Sequence, residues 1–327
     1  MRLQRLNWRR VLGGAAIAGL LLVVAALAAI EWRWTRQFEA PYPSIRSSHD
    51  PEVVARGEYL VYTAAACAYC HVPREEWDRL DKGERLPLTG HHLFRLPFGD
   101  FFSPNLTPDN GTGIGRRSDA ELARVLRFGV RADGRAAFPL MEFELTDEDL
   151  SAVASYLRSR PAVSYRVPEH QLTMFGKTLM AFAVSPTQPA KAAPTTSPRG
   201  ATVERGAYLA NHVSSCASCH TDRGPDGALV GPAFGGGQRM DVAFDDTKVF
   251  VPPNLTPDAD TSVLGNWTED AFVARFRSGP TVAGTPMPWG AFARLTDEDL
   301  RAIYRYLRSL PPTRHRTGPV IQEKAKR

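Results

Sequence analysis

The sequence predicts an all-α chain: one membrane-spanning helix followed by two copies of the same helical unit. Three observations predict it. An uncharged apolar run stands near the N-terminus, a series of motifs recurs at an offset of about 150 residues, and apolar side chains fall at helical spacing with no alternating strand pattern of useful length.

The apolar run comes first. Val11 to Ile30 is twenty uncharged residues, about the length a helix needs to cross the hydrocarbon layer of a bilayer. Arg2, Arg5, Arg9 and Arg10 precede it, whereas the flank from Glu31 to Glu39 balances two acids against Arg33 and Arg36. The positive-inside rule then leaves the N-terminus in the cytoplasm and exports everything after residue 31. Trp8, Trp32 and Trp34 stand at the two ends of the run, where indoles prefer the membrane interface. The alternative is a cleaved signal peptide, because Ala26-Leu27-Ala28 resembles a small-residue cleavage site. Residues 1–31 are therefore read as a basic cytoplasmic end with its anchor, and 32–50 as a juxtamembrane linker.

The repeat follows. Cys-x-x-Cys-His begins at Cys67 and again at Cys216, an offset of 149 residues, and Arg56-Gly57-Glu58-Tyr59-Leu60 is echoed at Arg205-Gly206-Ala207-Tyr208-Leu209 with the same offset. Pro104-Asn105-Leu106-Thr107-Pro108-Asp109 recurs unchanged at Pro253 to Asp258, and Leu145-Thr146-Asp147-Glu148-Asp149-Leu150 at Leu295 to Leu300. One ancestral unit was duplicated. The divisions are 51–165 for the first unit, 166–201 for a bridging segment and Pro/Ala/Thr-rich linker, 202–312 for the second unit and 313–327 for a basic tail.

Within each unit the last helix is the plainest. Leu150, Val153, Ala154 and Leu157, and likewise Leu300, Ile303, Tyr304 and Leu307, form one apolar stripe. Thr146 and Thr296 cap these helices, and Pro161 and Pro311 stop them. Another helix starts at Ser118, where Glu121 completes a capping box, and its counterpart starts at Thr268. Helices over 52–66 and 202–215 lead into the cysteine motifs. In the bridge, Leu172, Phe175, Leu179 and Phe182 also keep helical spacing and are expected to pack as core.

Charge excludes a nucleic-acid surface. The net charge of +5 comes from the two ends, the four N-terminal arginines and the tail after Pro311 carrying +4 each, so the middle of the chain sums to −3. A nucleic-acid face would need its basic residues on the folded part.

All four cysteines lie in Cys-x-x-Cys pairs, which in an exported chain would ordinarily suggest disulfides. Here each pair is followed at once by a histidine. That spacing is the attachment motif of a c-type haem: two cysteine sulfurs form thioethers with the porphyrin, and the histidine ligates its iron. Cys67, Cys70 and His71 would hold one haem and Cys216, Cys219 and His220 a second, both covalent. A thioredoxin-like pair would need a βαβ setting, and the two motifs sit too far apart in matching repeats to share one zinc ion.

The sixth iron ligand decides what such a haem can do, since a thioether closes the coordination shell and raises the potential. In the second unit Met287 stands between Pro286 and Pro288, a stiff way to present a sulfur. In the first unit Met141 is the only methionine between Cys67 and Thr146, but it precedes Leu145 by four residues where Met287 precedes Leu295 by eight. His91 or His92 is the substitute should Met141 fall short.

These motifs in this order resemble the class I cytochrome c domains in the cytochrome subunits of bacterial membrane-bound alcohol, aldehyde and gluconate dehydrogenases, over about Pro51 to Pro311. The resemblance implies that both Asn-Leu-Thr segments lie beside a haem. It also implies that the helix of Gly57 and Tyr59 crosses that of Tyr156, as the helix of Gly206 and Tyr208 crosses that of Tyr306. Those subunits usually carry three haems and a C-terminal membrane helix, whereas this sequence has two motifs and an N-terminal run. The expected function is electron relay by two haems between a periplasmic donor, such as a dehydrogenase, and a respiratory acceptor such as an oxidase. The haem units would be tethered at the periplasmic face of the inner membrane by a single pass. A two-haem enzyme, such as a cytochrome c peroxidase or a thiosulfate-oxidising cytochrome, is the alternative.

Overall fold

A computed structural model describes residues 8–137, 143–186, 195–224, 228–242, 245–282 and 284–324. Helix α1 (Trp8–Arg33) carries the apolar run, and from Leu12 onward it is long and apolar enough to cross a membrane, with none of its apolar window buried against the rest of the chain.

The first repeat opens with α2 (Pro51–Tyr59), capped by the Asp50 side chain, which accepts from the Glu52 amide. It runs on into a π-helical turn (Leu60–Ala64), then α3 (Ala68–His71), α4 (Trp77–Asp81) and a hairpin of β1 (Leu93–Leu96) and β2 (Gly99–Phe102). Helices α5 (Asp119–Phe128) and α6 (Asp147–Ser159) complete it, α5 with the reciprocal Ser118–Glu121 capping box and α6 under Thr146. The bridge contributes β3 (Gln171–Leu172) and α7 (Met174–Phe182).

The second repeat follows the same plan. It has α8 (Val203–Tyr208), a π-helical turn (Leu209–Val213), α9 (Cys216–His220), the strands β4 (Asp222–Arg223), β5 (Leu229–Val230), β6 (Met240–Val242) and β7 (Asp245–Phe250), then α10 (Glu269–Arg277), α11 (Trp289–Phe292) and α12 (Asp297–Ser309). Strand β8 (Ile321–Glu323) ends the described chain.

The all-α expectation is overturned. The structure is only 42% helical, and antiparallel sheets β1-β2-β3, β4-β5 and β6-β7-β8 fill the stretches between helices. The strands escape a periodicity search because they are two to six residues long. Partners remote in sequence complete two of the sheets: Leu172 of β3 pairs with Gly99, and Ile321 of β8 with Phe250. A ladder closed by distant backbone needs no alternating side chains to announce it.

Each repeat is built on one close helix crossing. A Cβ placed on Gly57 would stand 1.9 Å from the Ala152 carbonyl oxygen of α6, and one on Gly206 would stand 1.9 Å from that of Ala302 on α12. Only glycine lets α2 and α8 lie against those backbones. The stripes of α6 and α12 then fill the core, with Leu150, Val153, Leu157, Leu300, Ile303 and Leu307 all buried.

The repeats hold each other by exchanged tyrosines. Arg56 makes a two-pronged ion pair with Asp149 of its own repeat, at 2.9 and 3.0 Å, and Tyr208 of the other repeat donates to the same carboxylate at 2.7 Å. Arg205 pairs likewise with Asp299 at 2.8 and 3.1 Å, and Tyr59 crosses over to donate to it at 2.6 Å. Burial pushes the Asp149 carboxyl upward, but the Arg56 hydrogen bonds and charge outweigh it and leave its pKa below the ordinary value. Burial, then the Asp149 charge, pushes Tyr208 up to about 12.

The bridging stripe does not become core. Phe175 and Phe182 are 57% and 56% exposed, and α7 lies against the end of α1, where Arg33 Nε donates to the Ala181 carbonyl at 2.9 Å.

Candidate functional site

Both cysteine motifs are presented by the same local device. A π-helical turn ends the incoming helix, and one residue then adopts a left-handed conformation, Ala66 at φ 50° and Ser215 at φ 49°. Non-glycine residues avoid that region, so the surrounding fold holds these two in place. The chain re-enters a single helical turn, in which the His71 amide donates to the Cys67 carbonyl at 3.0 Å. Cysteines three apart and a histidine four from the first thus share one face. None of this was legible at Ala66 or Ser215, which are ordinary residues.

The four thiols are free. Burial pushes Cys67 and Cys216 up to about 12 and Cys70 up to about 11. A redox-active Cys-x-x-Cys pair needs the opposite, a thiol lowered toward neutrality. The histidines are buried or half-buried, and desolvation lowers both, His71 to about 4, so each imidazole is neutral. His71 Nδ1 donates to the Pro104 carbonyl at 3.0 Å, and His220 Nδ1 to that of Pro253 at 3.0 Å. A carbonyl can only accept, so Nδ1 carries the hydrogen and Nε2 keeps its lone pair for a metal.

This explains the repeated Pro-Asn-Leu-Thr-Pro-Asp segment. Its proline carbonyl orients the histidine, and its asparagine fastens the loop to the chain leaving the last helix. Asn105 Nδ2 donates to the Val163 carbonyl at 2.9 Å, and Asn254 Nδ2 to that of Thr313 at 2.8 Å. Asp109 and Asp258 close the loop by accepting from Thr112 and Thr261 hydroxyls, each at 2.7 Å.

Met287 lies in the irregular stretch just before α11. It is half-buried against the core, its amide donates to Thr285 Oγ1 at 3.3 Å, and its carbonyl accepts from the Trp289 amide at 2.8 Å. Met141 lies outside the described residues. His91 Nδ1 is engaged with the Tyr165 hydroxyl. His92 is buried, stacked on Trp77 with ring centroids 5.3 Å apart.

The residues fit a covalently attached haem. Among the described residues no group of three or more His, Cys, Asp or Glu side chains could hold a bare metal ion. His92 Nδ1 and Trp77 Nε1 are buried without a hydrogen-bond partner among the described residues, and such donors suit the anionic edge of a bound group.

Comparison with known proteins agrees. The family described as cytochrome c oxidase, cbb3-type, subunit III matches residues 201–307. The fructose dehydrogenase cytochrome subunit of Gluconobacter japonicus is 29% identical over 82% of this chain and 54% of its own length. The cytochrome c subunit of alcohol dehydrogenase (quinone) from Gluconacetobacter polyoxogenes is 31% identical over 80% of this chain and 57% of its own. The chain thus spans little more than half the length of those two relatives. A protein named diheme cytochrome c-type, from Cereibacter sphaeroides, is 28% identical over 90% of this chain and 97% of its own length. In its attachment motifs the chain is similar to these cytochromes c, and the relatives named for dehydrogenases are the cytochrome subunits of those enzymes.

Proposed function

We propose that the chain carries two haem c groups, one per repeat in domains 51–165 and 202–312, and passes electrons between them. A bound haem iron takes up and releases one electron at a time. Cys67 and Cys70 hold one haem with His71 as ligand, and Cys216 and Cys219 hold the other with His220. Met287 would be the methionine partner of the haem in the second repeat and Met141 that of the haem in the first. His71 and His220 need not move or change protonation on electron uptake, because the Pro104 and Pro253 carbonyls hold each ring in one tautomer.

The contact between the repeats carries the proposal. Ser214 Oγ donates to the Ala64 carbonyl at 2.7 Å, and these residues stand just before Cys216 and Cys67. The loop after Met287 rests on the first motif as well: Gly290 lies against Tyr69 and Asp81, and Arg294 donates to the Asp81 carbonyl. On the other side, Glu144, three residues past Met141, pairs with His212 at 2.9 Å, four residues before Cys216. Glu144 in the first repeat and the stretch from Gly290 to Arg294 in the second therefore each lean on the other repeat's attachment region, an arrangement suited to electron passage inside one chain. The anchor and its charge flank support a periplasmic site at the inner membrane, with a dehydrogenase as donor and a respiratory acceptor.

The test is a haem count and a redox titration of the purified full chain beside Met287→Ala. Two haems per chain, with one component shifted to lower potential in the variant and its sulfur-to-iron band lost, is the expected result. One haem per chain, or a variant unchanged in both components, overturns it.

A further inference from the structure

We propose that α7 is a second membrane contact, a short helix lying in the bilayer interface with Phe175 and Phe182 turned into the lipid. The proposal rests on the reading of α1 as a membrane span.

Helix α7 is clamped to the point where α1 leaves its apolar stretch. Arg33 Nε donates to the Ala181 carbonyl at 2.9 Å, and the Arg33 guanidinium lies 5.6 Å from the Phe182 ring centroid. Lys177 pairs with Glu31 and stands 5.4 Å over the Trp34 ring, and Arg36 donates to the Val184 carbonyl. A helix fastened at its middle and its C-terminal end to residues 31–36 shares their depth, which for a helix spanning from Leu12 to Arg33 is the headgroup boundary. Trp32, 80% exposed, marks the same level.

The opposite side of α7 is committed to the first repeat. A Cβ on Gly176 would stand 2.0 Å from the Phe98 carbonyl, so the helix rests directly on the turn between β1 and β2, and Gln171 and Leu172 just before it extend that sheet. What remains is an outer face with Met174 at 47%, Phe175 at 57% and Phe182 at 56% exposure, on a helix with one cation and no acid. Large apolar side chains left exposed together mark an interaction surface. Continuity with α1 identifies the occupant as lipid: aromatic side chains beside a basic residue, held at headgroup depth, are what interfacial helices bury. The consequence is orientation. A single-pass helix alone leaves its cargo free to swivel, whereas two contacts, one spanning and one lying flat, set which side of the first repeat faces the membrane.

The test is photolabelling of the full chain in phosphatidylethanolamine and phosphatidylglycerol vesicles by a carbene-generating probe confined to the lipid phase, with labelled peptides located by mass spectrometry. Label on both α1 and residues 174–182 is expected. In the exposed double variant Phe175→Ser, Phe182→Ser, label on 174–182 should fall to the level of the cysteine-motif peptides while α1 stays labelled and the haem absorbance is unchanged. Label on α1 with none on α7 overturns the proposal, as it would if that face were covered by a partner subunit, and leaves the anchor standing. Absence of label from α1 overturns the anchor reading and the proposal together.

Discussion

In the two repeats the histidine, the proline carbonyl that orients it, the asparagine that fastens the loop and the glycine that seats the first helix superpose in role, with near-equal distances throughout. The path from the methionine segment to the last helix differs. Between Met287 and Leu295 the second repeat inserts α11, a four-residue turn docked on α4 of the first repeat. Among the described residues the first repeat shows no counterpart, and the Phe143 amide donates to the Leu126 carbonyl at 2.8 Å. The four-residue difference in spacing matches the length of α11. Duplication preserved the cysteine-motif frame, where geometry is tight, and let the stretch before the last helix diverge, where one turn of helix can be added without disturbing the crossing beneath it.

Equal treatment of the two frames is the first way to break this comparison. Asp149→Ala and Asp299→Ala each strand an arginine, half-buried at Arg56 and buried at Arg205, and remove the acceptor of the other repeat's tyrosine. Each should cost about 3–5 kcal/mol in denaturant unfolding, and a large inequality would show that the repeats do not share the frame. For Asp149 there is a pH signature. Its folded pKa lies below the unfolded value, so its contribution is complete above the ordinary carboxylate range and is lost as pH falls through the folded pKa. The stability gap between the wild type and Asp149→Asn should therefore close below pH ~4.

Gly57→Ala and Gly206→Ala come next, at about 3 kcal/mol each by thermal unfolding, because the added methyl meets backbone that cannot yield without separating the helices. Smaller again, Asn105→Ala and Asn254→Ala should cost about 1–3 kcal/mol by leaving the buried Thr107 and Thr256 amides without their acceptor. They should also loosen the loop that carries the histidine's acceptor, visible as faster amide exchange there. The smallest effect runs the other way. Ala66→Gly and Ser215→Gly should stabilise by up to about 1 kcal/mol by relieving the left-handed residue.

The sequence showed the repeat, the haem motifs, the caps at Ser118, Thr146, Thr268 and Thr296, and the stripes of α6 and α12. Each of these is a local pattern, set by residues within a turn or two of one another. It missed the sheets, because β3 and β8 pair through backbone with strands far away in the chain. It also misjudged α7: helical spacing of Phe175 and Phe182 shows that one face is apolar, but only the packing around them shows that this face is left outside.

The same division holds at the site. Cysteine and histidine spacing alone points to haem attachment and to the residues proposed for it, because the three functional groups lie within one helical turn. Tertiary structure decided which histidine nitrogen keeps its lone pair, through a proline carbonyl 33 residues away. It also decided that Tyr59 and Tyr208 serve the opposite repeat and that the two attachment regions touch. Those contacts depend on where the chain returns in space, and a one-dimensional pattern carries no record of that.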